Sequence, residues 1–192
     1  MTALPIDALL SRRSMKLVRG PAPKPDELDL ILQAAVRAPD HAALRPWRFV
    51  LIRDEAVGKF ADLAIDAIKR SGTKPITPEK EKSTRTWLSQ VPLLVAMAYE
   101  ISHDNPKVPE QEQTLSMGCA VMNMLNATAM LGYAGFWSTG LGCYLEEVQE
   151  ALGFDSLDHR FVGFLAIGTP GCELPKAQRP DPAQFVREWT GG

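Results

Sequence analysis

Residues 93–99 read Leu-Leu-Val-Ala-Met-Ala-Tyr, an apolar run without a charged side chain. A run this short and this continuous is typical of a β-strand with both faces buried, because a half-exposed strand alternates apolar and polar residues. Residues 161–167, Phe-Val-Gly-Phe-Leu-Ala-Ile, predict a second strand of the same kind. The protein is therefore predicted to be built on a sheet whose central strands are covered on both sides.

Helices are predicted around this sheet from apolar residues at helical spacing. They cover residues 5–12, 25–37, 55–71, 85–89, 113–131 and 146–152. Two further strands are predicted at 47–52 and 135–138, a mobile loop at 72–80, and an extended tail at 171–192 that wraps over another surface. No repeat or linker divides the chain. Residues 1–192 are thus predicted to form one domain of the α/β or α+β class.

The composition excludes several classes of protein. With 45% hydrophobic and 23% charged residues, the chain is globular rather than disordered. A net charge of −2 gives no signature of nucleic-acid binding. The apolar run 117–137 contains asparagines and glycines, which favour a buried helix over a membrane span. Three widely spaced cysteines without a CxxC pair argue against a zinc site or disulfides, and favour a cytoplasmic location.

Most catalytic motifs are missing from the sequence. There is no phosphate loop of the GxxxxGK[ST] type, no HExxH zinc helix, no GxGxxG fingerprint and no GxSxG nucleophile elbow. The three histidines do not stand near a nucleophile motif. The sequence therefore predicts neither a metal site nor a hydrolase, and no catalytic acid, base or nucleophile is assigned.

Three short clusters suit an anionic, planar ligand. The first, the arginine segment, is Arg12-Arg13-Ser14 at the end of a helix. Two guanidinium forks and a hydroxyl form a compact phosphate clamp, because arginine presents paired planar donors. In the alternative interpretation, the arginines complement the helix dipole and Ser14 begins a turn.

The other two clusters are loops next to strands. The polar loop, residues 37–47, starts with Arg37 and passes through His41 to Trp47. Binding residues are often found on such a loop between rigid elements, although His41 could equally be an exposed side chain and Trp47 a core residue. The aromatic turn, residues 135–140, is glycine-bounded and would let a backbone amide approach a ligand. An ordinary tight turn is the alternative.

Taken together and in this order, the clusters resemble the nitroreductase family, in particular its short, single-domain bacterial members. The resemblance spans nearly the whole chain. It rests on Arg12-Arg13-Ser14, Arg37-Ala-Pro-Asp-His41, Pro46-Trp47, Lys107-Val-Pro109, Ser116-Met-Gly-Cys-Ala-Val-Met122, Trp137, Val162-Gly-Phe-Leu165, Gly168-Thr-Pro170 and Pro180-Asp-Pro182. RRS alone is a weak signal, whereas the combination is specific.

The resemblance implies an α+β fold with a mainly antiparallel sheet flanked by helices, completed in a homodimer with FMN at each interface. It implies that Arg12, Arg13 and Ser14 hold the phosphate and ribityl end of FMN. It further implies that Arg37 and His41 contact the cofactor from the other subunit, and that Trp137, Ser138 and Thr139 line the isoalloxazine ring. NADH or NADPH would be the reductant, and a nitroaromatic, quinone or similar electron-poor molecule the acceptor.

Two positions depart from the family pattern. Leu17 stands where many relatives have a basic residue, with Lys16 beside it, and Arg45 precedes Pro46-Trp47 where glutamine or asparagine is commoner. Both departures bear on the substrate more than on the cofactor. Two alternative functions stay open: a different reaction of the same flavin site (enal or aldehyde reduction, dehalogenation, flavin fragmentation), and a catalytically silent flavin-binding dimer.

Overall fold

The computed structural model describes residues 5–72, 75–175 and 178–191. Its helices are α1 (Pro5–Ser11), α2 (Pro25–Ala35), α3 (Glu55–Ser71), α4 (Pro78–Leu88), α5 (Glu110–Met130) and α6 (Glu146–Ala151). Its strands are β1 (Val18–Arg19), β2 (Trp47–Arg53), β3 (Leu93–Glu100), β4 (Ala134–Ser138) and β5 (His159–Pro170). Short 3₁₀ helices lie at His41–Ala43, before β2, and at Pro182–Gln184, after β5.

The strands form one five-stranded sheet in which every pairing between strands is antiparallel. β3 lies between β2 and β5, and β5 also pairs with β4 and, at its C-terminal end, with β1. Strand and helix order alone left the α/β and α+β classes open, and the antiparallel pairing decides for α+β. The expectation of an antiparallel sheet flanked by helices is confirmed.

The apolar run of β3 is explained by the two helical layers. Leu94, Ala96 and Ala98 pack into a core with α3, α4 and α6. The alternate residues Leu93, Val95, Met97 and Tyr99 pack into a second core with α2 and α5. Because side chains of a strand point alternately to opposite faces, a strand between two apolar layers needs apolar residues throughout.

A β-bulge interrupts the pairing of β3 with β5. Met97 pairs with Gly163 and Ala98 with Phe161, so Val162 is the extra residue on β5. Gly163 has a φ of +117°, a conformation that side-chain-bearing residues rarely adopt. Such bulges bend a strand and change the direction of neighbouring side chains, and this one lies beside the aromatic turn.

Two sequence predictions about elements were wrong. The helix predicted at 85–89 begins at Pro78, capped by the Thr77 hydroxyl, which accepts a hydrogen bond from the Lys80 amide at 3.2 Å. Of its residues only Leu88 is buried, so it lacks the apolar face that periodicity detects. The loop predicted at 72–80 is accordingly shorter, and its residues 73–74 lie outside the described part of the chain. β1, with two residues, was missed.

No helix in the described ranges is long and apolar enough to cross a membrane.

Candidate functional site

The arginine segment and the aromatic turn are neighbours in space. Ser14 and Gly135 form an isolated parallel bridge, and the Met15 amide donates to the Gly135 carbonyl at 3.0 Å. This main-chain pairing places the segment around Ser14 alongside β4. Two of the three clusters found in the sequence, 121 residues apart from Ser14 to Gly135, are thus brought together by strand pairing.

Arg12 carries a polar atom without a partner. Its Nη1 is buried, yet no hydrogen-bond partner for it occurs among the residues that the structure describes. An unpaired buried donor is costly unless a ligand or water satisfies it. The donor is part of a cation, so an anionic oxygen is the group that fits it best.

The C-terminal tail adds a further arginine to this place. Arg179 Nη2 donates to the Arg12 carbonyl at 3.4 Å, and Arg13 Nη1 donates to the Pro175 carbonyl. The tail therefore contacts the arginine segment through Pro175 and Arg179. Sequence analysis did not identify Arg179, because a contact with Arg12 across so much of the chain leaves no local pattern.

The aromatic turn is shaped by the bulge on β5. The Trp137 indole donates from Nε1 to the Val162 carbonyl at 2.9 Å, and the ring is 39% exposed. A Cβ at Gly163 would lie 2.5 Å from the Ser138 carbonyl oxygen. Ser138 Oγ accepts from the Gly140 amide at 3.2 Å, and Thr139 is exposed. Glycine at 163 thus allows the turn to lie close against β5.

The polar loop is placed differently, against the first half of α5. His41 Nδ1 is 2.6 Å from Glu112 Oε2, and Trp47 Nε1 donates to Ser116 Oγ at 3.1 Å. Asp40 accepts from the Arg45 amide at 2.7 Å. Arg37 is exposed. His41 and Trp47 therefore contact α5, through bonds separate from those that join the arginine segment to the aromatic turn.

An apolar groove of about 480 Å³ begins beside the arginine segment. Lys16 Nζ lies 5.1 Å from the centre of the Trp87 ring, and the Trp87 indole donates to the Lys16 carbonyl at 2.9 Å. Trp87 also packs edge-on against Phe136 of β4, with ring centres 6.0 Å apart. Sequence analysis assigned Trp87 no role, because its contacts with Lys16 and Phe136 join segments that are distant along the chain.

An exposed apolar face runs along α5. Leu115, Met122 and Met130 are 61%, 46% and 56% exposed and recur at helical spacing. Leu115 and Met122 also line a concavity of about 450 Å³ next to Trp137. Charge-free exposed surface of this extent on a helix is typical of a protein–protein interface.

The remaining histidines and cysteines form no comparable constellation. His103 pairs with Asp158 and His159 with Asp155, each at 3.2 Å near the surface. No group of three metal-ligating side chains is found in the described ranges. Burial raises the pKa of the Cys143 thiol to about 11, which keeps it protonated and unreactive at neutral pH.

Fold and site together define an α+β protein with a cationic, partly unsatisfied segment beside a half-exposed tryptophan at the sheet edge. Comparison of the fold with solved structures finds the nitroreductase-like family protein from Bacillus cereus, with a TM-score of 0.80 and 19% identity, covering 100% of this chain and 98% of that one. It also finds the nitroreductase with bound FMN from Bacteroides fragilis, with a TM-score of 0.73 and 21% identity, covering 97% and 100%.

Comparison of the sequence with known proteins identifies the family. A sequence model of the nitroreductase family matches residues 9–169. The Escherichia coli K12 protein named "Putative NAD(P)H nitroreductase YdjA" is 34% identical over 182 residues, which is 94% of this chain and 97% of that protein. The chain belongs to the nitroreductase family, a family of oxidoreductases, as the sequence resemblance implied.

Proposed function

We propose that this protein is an FMN-dependent oxidoreductase that takes electrons from NADH or NADPH and delivers them to an electron-poor acceptor such as a nitroaromatic or a quinone. It acts as a cytoplasmic homodimer of single-domain subunits, with FMN at each interface. When bound, FMN supplies the redox chemistry, accepting a hydride at N5 from the nicotinamide and passing electrons to the acceptor in a ping-pong sequence.

The observation that carries the proposal is the buried, unpartnered Nη1 of Arg12. A phosphate oxygen would satisfy this donor, and Arg13, Ser14 and the nearby Arg179 offer further donors to the same group. The cofactor named in the Bacteroides fragilis structure carries such a phosphate. The arginine segment is therefore proposed to hold the phosphate and ribityl end of FMN.

The aromatic turn is proposed to border the isoalloxazine ring. Since Ser14 pairs with Gly135, a ligand held at the arginine segment extends naturally along the turn that follows. Trp137 is held by its bond to Val162, which leaves the backbone of Ser138 and Thr139 in a defined position. A backbone amide of this turn would orient the ring, and the turn would keep water from one side of it.

A second copy of the chain is proposed to supply Arg37 and His41. His41 is held on α5 by contacts separate from the Ser14–Gly135 pairing, and the family resemblance implies that this loop reaches the flavin of the other subunit. The apolar face of α5 supports a dimer formed through this helix. The exposed free thiols of Cys119 and Cys172 suit a reducing compartment such as the cytoplasm.

The test is a spectrum of the purified protein before and after reduction. Protein saturated with FMN should be yellow, and anaerobic NADH or NADPH should bleach it. Mixing the bleached protein with a panel of nitroaromatics, quinones, enals and halogenated aromatics should then restore the colour fastest with the preferred acceptor. Colourless protein that does not take up FMN would refute the proposal. Tight FMN binding without bleaching by either nucleotide would instead indicate a silent flavin-binding protein.

A further inference from the structure

The backbone of residues 41–45 is unusual. Ala42, Ala43 and Arg45 have φ values of 61°, 53° and 51°, in the left-handed region that non-glycine residues seldom occupy. Three such residues in one short loop store conformational strain. Strain of this kind persists where the surroundings hold the chain in place, and it is concentrated at binding sites.

The surroundings hold Arg45 at both of its main-chain polar groups. Its amide donates to Asp40 Oδ2 at 2.7 Å, and its carbonyl accepts from Arg48 Nη1 at 2.9 Å. Arg48 is itself fixed by an ion pair with Glu100. The backbone of Arg45 is therefore held in place by the protein itself, without a ligand.

The side chain of Arg45 is free of such restraints. Its guanidinium makes no hydrogen bond and no ion pair within residues 5–72, 75–175 and 178–191, whereas Arg48, Arg70, Arg85 and Arg160 each pair with a carboxylate. It lines a concavity of about 550 Å³ together with Val36, Ala38, Asp40, Ala43 and Trp47. Arg45 thus brings to the wall of this concavity a guanidinium that has no ion-pair partner in the described ranges.

The polar groups of the concavity differ in their partners. Asp40 is the acidic residue in the lining, and its Oδ2 accepts the Arg45 amide. Nearby His41 is paired with Glu112. The Arg45 guanidinium is the charged group of the lining without a hydrogen-bond partner in the described ranges, and a planar oxyanion fits its paired donors.

We propose that Arg45 recognises an oxyanion, a carboxylate or phosphate, on one of the two substrates of the flavin site, and so determines substrate preference. The inference rests on the function proposed above, since the polar loop is expected to reach that site. The oxyanion has two sources: a carboxylate on the electron acceptor, or the 2′-phosphate that distinguishes NADPH from NADH. Trp47 and Val36 would pack against the apolar part of the same ligand.

Equilibrium binding to the FMN-saturated dimer, followed by calorimetry, tests this without relying on turnover. One arm compares 4-nitrobenzoate with neutral 4-nitrobenzyl alcohol, and the other compares NADP⁺ with NAD⁺. The variants are Arg45→Gln, which removes the charge at similar size, and Arg45→Lys, which keeps it. Arg53→Gln, an exposed arginine at the other end of β2, is the matched control. All are L-residues, so the backbone strain is unchanged.

The wild type and Arg53→Gln should bind the anionic member of at least one pair about tenfold more tightly than its neutral counterpart. Arg45→Gln should abolish this preference, Arg45→Lys should retain most of it, and 0.5 M salt should weaken it. The arm that shows the preference identifies the source of the oxyanion. A wild type without preference in either arm, or a preference that survives in Arg45→Gln, would overturn the proposal. Heat of binding is measurable even if NAD(P)H fails to bleach the protein, so failure of the proposed function is seen separately.

Discussion

The arginine segment is joined to the aromatic turn by main-chain pairing, whereas the polar loop is held on α5 by side chains. In the first region, the Met15 amide and the Gly135 carbonyl extend the sheet edge, a contact that depends little on which side chains are present. In the second, a hydrogen bond between His41 and Glu112 and a hydrogen bond from the Arg45 amide to Asp40 maintain a backbone that is strained at three residues. The first region is therefore held together by backbone hydrogen bonds of the sheet, and the second by contacts of individual side chains.

In the proposed function, the two regions belong to one flavin site built from two chains. The region built by the sheet would bind the phosphate end of FMN within one subunit. The polar loop of a second subunit, approaching through the apolar face of α5, would complete the site. Three substitutions test the two regions and the surface between them, beginning with the largest expected effect.

The largest effect is expected from Met122→Arg, which tests the proposed dimer surface on α5. Met122 is 46% exposed on α5, and in a symmetric interface the substitution occurs twice. Because burying an unpaired charge costs several kcal/mol, the dimer dissociation constant should rise about a thousandfold. FMN affinity should fall with it, since each subunit loses the other's polar loop. Sedimentation equilibrium and FMN titration measure both. The control is Leu157→Arg, at a 79% exposed position outside α5. If the Met122→Arg protein were still a dimer, the interface would lie on another face.

Gly163→Ala would distort the region built by the sheet. The added Cβ would lie 2.5 Å from the Ser138 carbonyl, at a φ of +117°. Displacement of the aromatic turn and backbone strain should together lower the free energy of unfolding by about 2 to 4 kcal/mol. Urea denaturation measures the loss. Gly153→Ala, with a φ of +82° but open space around it, should cost about 1 kcal/mol. Equal losses in the two variants would contradict a special role for the bulge.

Arg12→Ala tests whether the arginine segment serves FMN binding and not the stability of the fold. Because Arg12 Nη1 is buried without a partner in the described structure, its removal should not lower the free energy of unfolding of FMN-free protein. The FMN dissociation constant should rise about 10- to 100-fold with the loss of a charge-assisted hydrogen bond. Flavin fluorescence quenching measures it, with exposed Arg19→Ala as the control. A destabilised variant with normal FMN affinity would show that Arg12 is a structural residue.

The sequence was most informative where burial imposes a pattern. The continuous apolar run of β3 predicted a strand covered on both faces, and the structure places Leu94 and Val95 in separate cores on its two sides. It was least informative for α4, whose polar surface carries no periodic signal, so the groove beside Trp87 was missed. Short pairings such as β1, and contacts made by an extended tail, such as Arg179 with Arg12, likewise leave no local pattern.

By itself, the sequence determined a sheet covered by helices on both faces, the family and the residue types available for an anionic cofactor, because these follow from apolar patterning and from motifs that stay together along the chain. Only the tertiary structure decided that the sheet is antiparallel and which of those motifs meet. Strand pairing joined Ser14 to Gly135, a hydrogen bond to Val162 in the bulge held Trp137, and a contact with Glu112 held His41 of the polar loop on α5. Such contacts depend on the register and direction of distant segments, which are set by the packing of the whole chain.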